Sequence, residues 1–369
     1  MEYKFYDLVN YLLEFFKIVL LILLILLIIY IIFTKKYRWI CILAQTYKRD
    51  YRGIQFVRIT KNEVSRVRNN NYTLYTLFSE TVHKHLDKTA VIYENEVWTY
   101  SKLYDFVNKV SNYFSSESFV KGDCIALFLE NCPEFFSIII GLSKLGVIVS
   151  LINTNLVSNS LVYSVQVAKC KALIFGSSLA HNVNDIVSLL PRLKLYQLND
   201  AATNIVLDGA INLQQVFRRV WKEPLPANVQ VNAKDSLLYI YTSGTTGLPK
   251  AVIVTHIRFL SQTLAFKYVF TEGVNNILYN PLPLYHAFGL VGISLSTLLG
   301  VTSVIKKKFS ARSYFEDCAK HGCTIKKEYL AFLCFKLHFI QEEFDCFNTF
   351  FYFLGDTHFN RKNAFNRYH

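Results

Sequence analysis

The sequence predicts an α/β fold built on parallel sheets and preceded by one N-terminal transmembrane helix. Three observations lead to this prediction: a long uncharged apolar run near the N-terminus, short apolar runs of strand length further along, and amphipathic segments between them. Short runs that are apolar throughout are typical of strands buried on both faces of a parallel sheet. Their alternation with helices favours βαβ units with right-handed crossovers.

The composition limits the classes of protein to which this chain can belong. Its 369 residues are enough for two domains and a sizeable core. Hydrophobic residues make up 52% and charged residues 18%, which excludes a disordered chain. The formal net charge of +13 indicates an anionic partner or surface. The eight cysteines are scattered, so reduced thiols in the cytosol are favoured over a disulfide framework.

Residues 1–34 are expected to form a membrane anchor. No charged residue lies between Lys17 and Lys35, and Ile18–Phe33 is almost entirely Ile and Leu. A spanning helix needs about 20 apolar residues, with a lower limit near 17. A signal peptide is one alternative, but it would have a basic start and a small-residue cleavage site. The other alternative, a buried globular helix, would rarely be apolar on all sides for this length.

Residues 35–71 are expected to form a basic juxtamembrane segment, since they contain ten Lys and Arg residues against two acidic ones. The positive-inside rule places this segment and the bulk of the chain in the cytoplasm. Basic residues beside an anchor favour contact with anionic membrane lipid. Nucleic acid is the less favoured partner, because no nucleic-acid-binding signature occurs. We therefore expect a single-pass protein of the plasma membrane or endoplasmic reticulum, with no nucleic-acid partner.

Residues 72–325 are predicted to form the α/β domain, and apolar runs mark its strands while amphipathic periodicity and N-cap residues mark its helices. The elements predicted in its first half are a helix over Ser101–Phe114 with Ser101 as N-cap, a strand over Cys124–Leu129, a helix from Pro133 to about Leu145, a strand over Val147–Ile152, a strand over Ala172–Phe175 and a helix near Asn184–Leu190. The segment 197–230 is less regular and suggests a linker-like bend.

A second series of strands and helices is predicted after Ser236. Its elements are a strand over Leu237–Thr242, a loop over Ser243–Pro249, a strand over Ala251–Thr255, a helix over Arg258–Val269, a strand over Ile277–Asn280, a helix around Val291–Leu299 and a strand over Val301–Ile305.

The first loop of this series has the composition of an anion-binding site. Residues 241–250 read Tyr-Thr-Ser-Gly-Thr-Thr-Gly-Leu-Pro-Lys. The glycines let the backbone approach a ligand, and free N–H groups can bind phosphate oxygens. Lys250 adds a positive charge, but it precedes Ala and a strand, so the string is not a Walker A loop. A plain hairpin rich in turn-forming residues is the alternative.

This loop resembles the signature loop of the adenylate-forming, or AMP-binding, superfamily, which includes acyl-CoA synthetases and luciferases. Leu284-Tyr285-His286 resembles the second motif of that superfamily. The segments Leu151–Leu156, Ala172–Gly176 and Lys307–Ala311 resemble the fatty acid transport protein branch, also called very long-chain acyl-CoA synthetases. The resemblance covers about residues 74–325 and implies the N-terminal domain of an adenylate-forming enzyme, with parallel-sheet βα subdomains.

The resemblance implies a ligase that joins long-chain or very-long-chain fatty acids to CoA and so drives their uptake. ATP first activates the fatty acid as an acyl-adenylate, and CoA then displaces AMP. By position, the residues implied to bind the ATP phosphates are Thr242, Ser243, Gly244, Thr245, Thr246, Gly247 and Lys250. His286 is implied at the catalytic centre, where it shapes the acyl channel and does not act as general base. Mg²⁺ is implied to share the phosphate charge.

The match fades after Ile325, and residues 326–369 are expected to form a divergent tail. No Tyr-Gly-x-Thr-Glu motif, which would supply the magnesium carboxylate, and no C-terminal lid domain follows. We therefore expect an incomplete ligase with little complete activity; a non-catalytic, membrane-anchored half-domain that binds fatty acid or nucleotide is the alternative. Cys318, His321 and Cys323 lack a further Cys/His pair, so they are interpreted as helix-end and strand residues and not as metal ligands.

Overall fold

The computed structural model describes residues 2–33, 37–199, 205–226, 229–242, 249–270, 275–310 and 312–324. The chain divides into two units, one ending at Ile59 and the other beginning at Thr60. The predicted tail, residues 326–369, lies outside the described residues.

The first unit is helical. α1 spans Glu2–Phe33 and α2 spans Tyr37–Asn69, so α2 continues past the boundary into the second unit. Within α1, the 20 residues Tyr11–Tyr30 have a mean hydropathy of 3.1 and none of them is buried. This is the one helix in the described part of the chain that is long and apolar enough to cross a membrane, although a signal sequence would have the same properties. The basic segment, whose structure was not predicted, is almost entirely α2.

The second unit alternates helices and strands. Its elements in chain order are α3 (Leu74–Lys84), β1 (Thr89–Tyr93), β2 (Glu96–Thr99), α4 (Tyr100–Ser116), β3 (Cys124–Phe128), α5 (Pro133–Lys144), β4 (Ile148–Leu151), α6 (Ser158–Val167), β5 (Ala172–Gly176), α7 (Ala180–Val187), β6 (Lys194–Leu198), β7 (Ala210–Asn212), α8 (Leu213–Arg219), β8 (Ser236–Thr242), β9 (Lys250–Thr255), α9 (His256–Phe270), β10 (Ile277–Asn280), α10 (Ala287–Leu299), β11 (Thr302–Ile305) and α11 (Tyr314–Lys320).

The strands form two sheets. The larger sheet has the order β7-β6-β5-β3-β4-β8-β9, in which every neighbouring pair is parallel except β8 and β9. The smaller sheet has the order β10-β11-β1-β2, with β1 and β2 as an antiparallel hairpin and the other pairs parallel. The predicted parallel sheet is thus confirmed. All residues of β3 and β4 are buried, as their apolar runs predict.

Helices cover both faces of the larger sheet. The largest buried cluster takes residues from both sheets and from the helices between them, among them Val91 in β1, Val107 in α4, Leu127 in β3, Ile139 in α5 and Leu290 in α10. A second cluster lies on the other face of the larger sheet. It joins Phe128 and Phe175 of β3 and β5 to Leu161 of α6 and Val183 of α7. Burial on both faces explains why these strands lack polar alternation.

Some predicted boundaries are wrong. α4 begins at Tyr100, and its N-cap is Thr99, whose hydroxyl accepts the N–H of Lys102 at 3.2 Å. Ser101 has a suitable side chain for an N-cap, but Thr99 has the extended backbone because β2 ends there. α7 ends at Val187, earlier than the sequence predicts. The segment 197–230, predicted to be irregular, contains the end of β6 together with β7 and α8.

Candidate functional site

Polar residues collect at one edge of the larger sheet. Because β3, β4, β5 and β8 are parallel, their carboxyl ends meet at the same edge. Glu130 and Asn131 follow β3, Thr154 follows β4, Ser178 follows β5, and Thr242 ends β8. Open α/β sheets bind ligands outside the carboxyl ends of their strands. This edge is therefore the candidate functional site.

The predicted phosphate loop is closed by the β8–β9 hairpin. Thr242 and Lys250 face each other at the last position of this antiparallel pair, so the two ends of the loop lie side by side. The side chain of Lys250 is exposed to solvent. Ser243, Gly244, Thr245, Thr246 and Gly247, the other predicted phosphate ligands, lie outside the described residues. The hairpin thus brings two of the seven predicted phosphate ligands together.

Tyr241 holds the end of β8 in place. Its hydroxyl donates to the carbonyl oxygen of Ser164 in α6 and lies 2.7 Å from the hydroxyl oxygen of Ser150 in β4. Since the single phenolic proton goes to Ser164, the hydroxyl of Ser150 donates to Tyr241. Burial raises the pKa of Tyr241, which keeps this proton in place. The strand end from which the phosphate loop leaves is therefore fixed to two neighbouring elements.

His286 lies at the start of α10 and serves as its N-cap residue, although its imidazole makes no capping hydrogen bond. The rings of His286 and Tyr285 have centroids 4.6 Å apart. Tyr285 is buried and its hydroxyl interacts with Thr154, which follows β4. His286 is itself exposed, yet the surrounding protein atoms desolvate its ring and lower its pKa, so the ring is mainly neutral at pH 7. His286 is therefore connected to the carboxyl edge of the sheet through its contact with Tyr285.

Asn131 joins the loop before His286 to the carboxyl edge of the sheet. This buried side chain donates to the carbonyl oxygens of Leu282, at 3.2 Å, and Lys306, at 3.1 Å. Its amide oxygen accepts the N–H of Leu284 at 2.8 Å. Sequence reasoning missed Asn131 because an Asn after a strand is a common turn residue. Its partners lie more than a hundred residues away, and no local pattern points to them.

Glu130 is the carboxylate at this edge, and it already has partners. The hydroxyl of Ser178 donates to it at 2.8 Å, while the ammonium nitrogens of Lys307 and Lys308 lie 3.1 and 3.9 Å from its oxygens. The segment Lys307–Ala311, which the sequence singled out, therefore begins at the same edge. Its first two lysines neutralise Glu130, so that anionic phosphates meet less repulsion there.

Metal-ligating side chains do not cluster in the described ranges: no group of three or more His, Cys, Asp and Glu residues could hold an ion. Cys318 is buried in α11, and His321 ends that helix as its C-cap. Cys323 lies beyond the helix end and not in a strand as predicted, because Gly322 turns the chain there with a φ of 59°. Mg²⁺ takes oxygen ligands, so the thiols and imidazole of Cys318, His321 and Cys323 are not suited to it.

Comparisons with known proteins agree with this arrangement. The family model described as AMP-binding enzyme matches residues 78–326. The chain belongs to the AMP-binding enzyme family. The match includes both sheets, the hairpin around the phosphate loop and His286. The resemblance inferred from the loop and from the motif at His286 is thereby confirmed.

Curated relatives of this family member are fatty acid transport proteins. Long-chain fatty acid transport protein 1 of Rattus norvegicus is 32% identical over 302 residues, which are 81% of this chain and 47% of the relative. Long-chain fatty acid transport protein 6 of Homo sapiens is 36% identical over 252 residues, which are 67% of this chain and 40% of the relative. The chain thus spans about half the length of the curated relatives it matches.

Solved structures share the fold. The N-terminal domain of FACL13 from Mycobacterium tuberculosis superimposes with a TM-score of 0.60 at 20% identity, covering 68% of this chain and 61% of that one. A putative long-chain-fatty-acid CoA ligase from Rhodopseudomonas palustris also gives 0.60 at 20% identity, covering 69% and 62%. The predicted fold of an adenylate-forming N-terminal domain is therefore confirmed.

Proposed function

We propose that the protein is a long-chain or very-long-chain fatty acid–CoA ligase that also promotes fatty acid uptake. The observation that carries this proposal is the loop between Thr242 and Lys250, closed by a hairpin at the carboxyl edge of a parallel sheet in an AMP-binding family member. The names of the curated relatives support a long-chain fatty acid as substrate. ATP and CoA are the proposed co-substrates.

In the proposed first step, the loop binds the β- and γ-phosphates of ATP. Its N–H groups and hydroxyls, with the ammonium of Lys250, stabilise the charge on the departing pyrophosphate. The fatty acid carboxylate attacks the α-phosphorus and forms the acyl-adenylate. The predicted ligands are Thr242, Ser243, Gly244, Thr245, Thr246, Gly247 and Lys250. Mg²⁺, when bound with ATP, would share the phosphate charge with the loop and Lys250.

His286 is proposed to shape the site near the reacting carboxylate. A neutral imidazole can donate one hydrogen bond to a carboxylate without the tight ion pair that an imidazolium would form. The lowered pKa of His286 and its position on the loop held by Asn131 support this role. The carboxylate keeps its nucleophilic charge, and no proton needs to leave it, so a general base has no task in this step.

The proposal includes attachment to the plasma membrane or the endoplasmic reticulum. In it, residues 1–34 are the membrane anchor, residues 35–71 are the basic segment beside the membrane, and residues 72–325 are the cytoplasmic domain. On α2, Leu43, Tyr47, Tyr51 and Ile54 recur at helical spacing, and all four are exposed. Lys48 and Arg52, in the same turns, lie on the other faces of the helix. A basic helix with an apolar stripe is suited to the surface of an anionic membrane.

The decisive test is binding of a fluorescent ATP analogue to the full chain in detergent. Replacing Lys250 with Ala is expected to weaken binding about 10-fold, or about 1.4 kcal/mol, because one phosphate-contacting charge is lost. Lys234→Ala, at another exposed lysine of the same domain, is the matched control and is expected to leave binding unchanged.

Two other outcomes have distinct meanings. Absence of ATP binding by the unmodified chain, or equal binding by Lys250→Ala, would contradict the proposed site. Binding of ATP and oleate without formation of oleoyl-adenylate and pyrophosphate would favour the alternative, a membrane-anchored half-domain that binds its ligands without catalysis.

A further inference from the structure

Two cysteine thiols meet at the amino-terminal edge of the larger sheet, away from the carboxyl edge that holds the candidate site. Cys124 is the first residue of β3, and Cys170 lies two positions before the first residue of the neighbouring parallel strand β5. Their Sγ atoms lie 3.5 Å apart and the thiols are hydrogen-bonded. Both cysteines are free thiols.

Only one of the two thiols is accessible. Cys124 is 5% exposed, whereas Cys170 is half-buried and lines an open cavity of about 640 Å³. The cavity is lined by apolar residues, among them Phe119 and Leu189, and by charged residues of both signs. A small reagent that enters the cavity therefore reaches Cys170 first.

The buried thiol is suited to act second. The hydrogen bond with Cys170 and burial both raise the pKa of Cys124, so it stays protonated and unreactive toward reagents in solution. Its position beside Cys170 is nevertheless fixed, because the N–H of Lys171 donates to the carbonyl oxygen of Cys124 at 2.8 Å. The pair thus combines a half-buried thiol that lines the cavity with a protected partner held within reach.

We propose that Cys124 and Cys170 form a reversible oxidative modification site, at which a hydroperoxide oxidises Cys170 and Cys124 then closes a disulfide. In the first step, the Cys170 sulfur attacks the O–O bond and takes one oxygen as sulfenic acid, while the other oxygen leaves as water or an alcohol. In the second step, the Cys124 sulfur attacks the Cys170 sulfur, the S–O bond breaks, and hydroxide leaves with the thiol proton as water.

The geometry permits this closure. A disulfide has an S–S distance of about 2.05 Å, so the two sulfur atoms must approach each other by about 1.5 Å. Rotation of the two cysteine side chains can supply a shift of this size. Tyr239 and Tyr241 pack against the same cluster. Closure therefore takes place in the cluster that contains Tyr241, the residue that precedes Thr242 and the phosphate loop.

The experiment treats the folded full chain in detergent with hydrogen peroxide and maps its peptides by mass spectrometry. The expected product is a cross-linked peptide pair that joins Cys124 to Cys170, lacks two hydrogen atoms and disappears on reduction with dithiothreitol. Cys132→Ser is the matched control, since Cys132 lies beyond the other end of β3, at the N-cap of α5, and the cross-link is expected to persist in it. Cys170→Ser is expected to abolish the cross-link.

A second measurement does not depend on oxidation. Brief alkylation of the native protein with iodoacetamide is expected to label Cys170 at least 10-fold more than Cys124, and the denatured protein is expected to lose this difference. Three results would overturn the proposal: a folded protein that forms no cross-link, conversion of Cys170 to sulfinic acid alone, or pairing of Cys170 with Cys132. Circular dichroism of each variant ensures that a missing cross-link does not reflect unfolding.

Discussion

A buried histidine at the start of α9 connects this helix to the start of α3. His256 has no exposed surface, and its Nδ1 accepts the backbone N–H of Leu74 at 3.1 Å. Because Nδ1 is the acceptor, the neutral ring carries its proton on Nε2. Burial lowers the pKa of His256 from 6.5 to about 4. The role of this residue is therefore structural, and it depends on the ring remaining neutral.

The free energy of unfolding is expected to decrease as the pH is lowered, because of His256. The unfolded chain binds the proton near pH 6.5 and the folded chain only near pH 4, so protonation favours unfolding between these values. The free energy of unfolding should decrease by about 3 kcal/mol over this window. Urea denaturation at several pH values measures this slope, and His256→Gln should remove it. His181→Gln, at a histidine whose side chain is 86% exposed, should retain the slope; a slope unchanged in His256→Gln would contradict the prediction.

Asn131 is a second residue whose partners are distant in sequence. Asn131→Ala removes three hydrogen bonds and leaves the carbonyl oxygen of Lys306 and the N–H of Leu284 without this partner. We expect the free energy of unfolding to fall by about 2–3 kcal/mol, since buried polar groups are costly to leave unpaired. Asn155→Ala, an exposed asparagine at the same edge, should change stability by less than about 0.5 kcal/mol. Equal stabilities for the two variants would refute this role.

At the scale of elements, α10 is pressed against the loop that precedes it. Asn280 at the end of β10 donates to the carbonyl oxygen of Gly289 at 2.9 Å. A Cβ atom at Gly289 would lie 2.1 Å from the carbonyl oxygen of Pro283, and one at Gly292 would lie 2.7 Å from the side chain of Asn280. Glycine is needed at both positions because the backbone itself forms the contact surface. This packing determines where His286 stands.

Gly289→Ala is expected to destabilise the domain, because the backbone of either α10 or the loop must move. The expected loss is about 2–3 kcal/mol in the free energy of unfolding, as for other overpacked sites. Gly53→Ala is the matched control, since Gly53 lies in helix α2 with nothing within 4 Å of its added Cβ. That change should raise helix stability by about 0.5–1 kcal/mol. A Gly289→Ala variant as stable as the unmodified protein would show that this contact is loose.

The apolar stripe of α2 gives a separate prediction about the membrane. A synthetic peptide of residues 37–69 should become helical on vesicles that contain phosphatidylserine, and much less on purely zwitterionic vesicles, as followed by circular dichroism. Replacing Tyr47 and Tyr51 with Ser should weaken vesicle binding about 10-fold, because both exposed rings then lose their contact with lipid. Gln45→Ser on the opposite face should have little effect. Binding that ignores anionic lipid would contradict the proposed surface.

At the scale of the whole molecule, contacts between the N-terminal and C-terminal parts of the second unit hold that unit together. β1 pairs with β11, and the hydroxyl of Thr302 donates to the carbonyl oxygen of Thr89 across 213 positions of sequence. The hydroxyl of Thr81 likewise donates to the carbonyl oxygen of Leu298. The smaller sheet therefore forms only when both ends of the domain are present. Such long-range pairing is expected to make folding slow.

The sequence alone predicted the features that depend on local composition. Residues next to one another in the sequence were enough to infer four features. These are the apolar run of α1, the buried strands β3, β4 and β5, the phosphate loop with its bounding strands, and the family itself. β10 was predicted at its observed bounds. Apolar runs report burial directly, which is why the predictions of the buried strands were confirmed.

Only the tertiary structure decided which segments meet. Four features join residues that are far apart in the chain. They are the second sheet, in which β10 and β11 join β1 and β2, the hydrogen bonds of Asn131 to the loop before His286, the buried contact of His256 with Leu74, and the contact of Cys124 with Cys170. Each partner is an ordinary residue in its own surroundings. Its role arises from strand order and packing, which depend on the fold as a whole and leave no local pattern in the sequence.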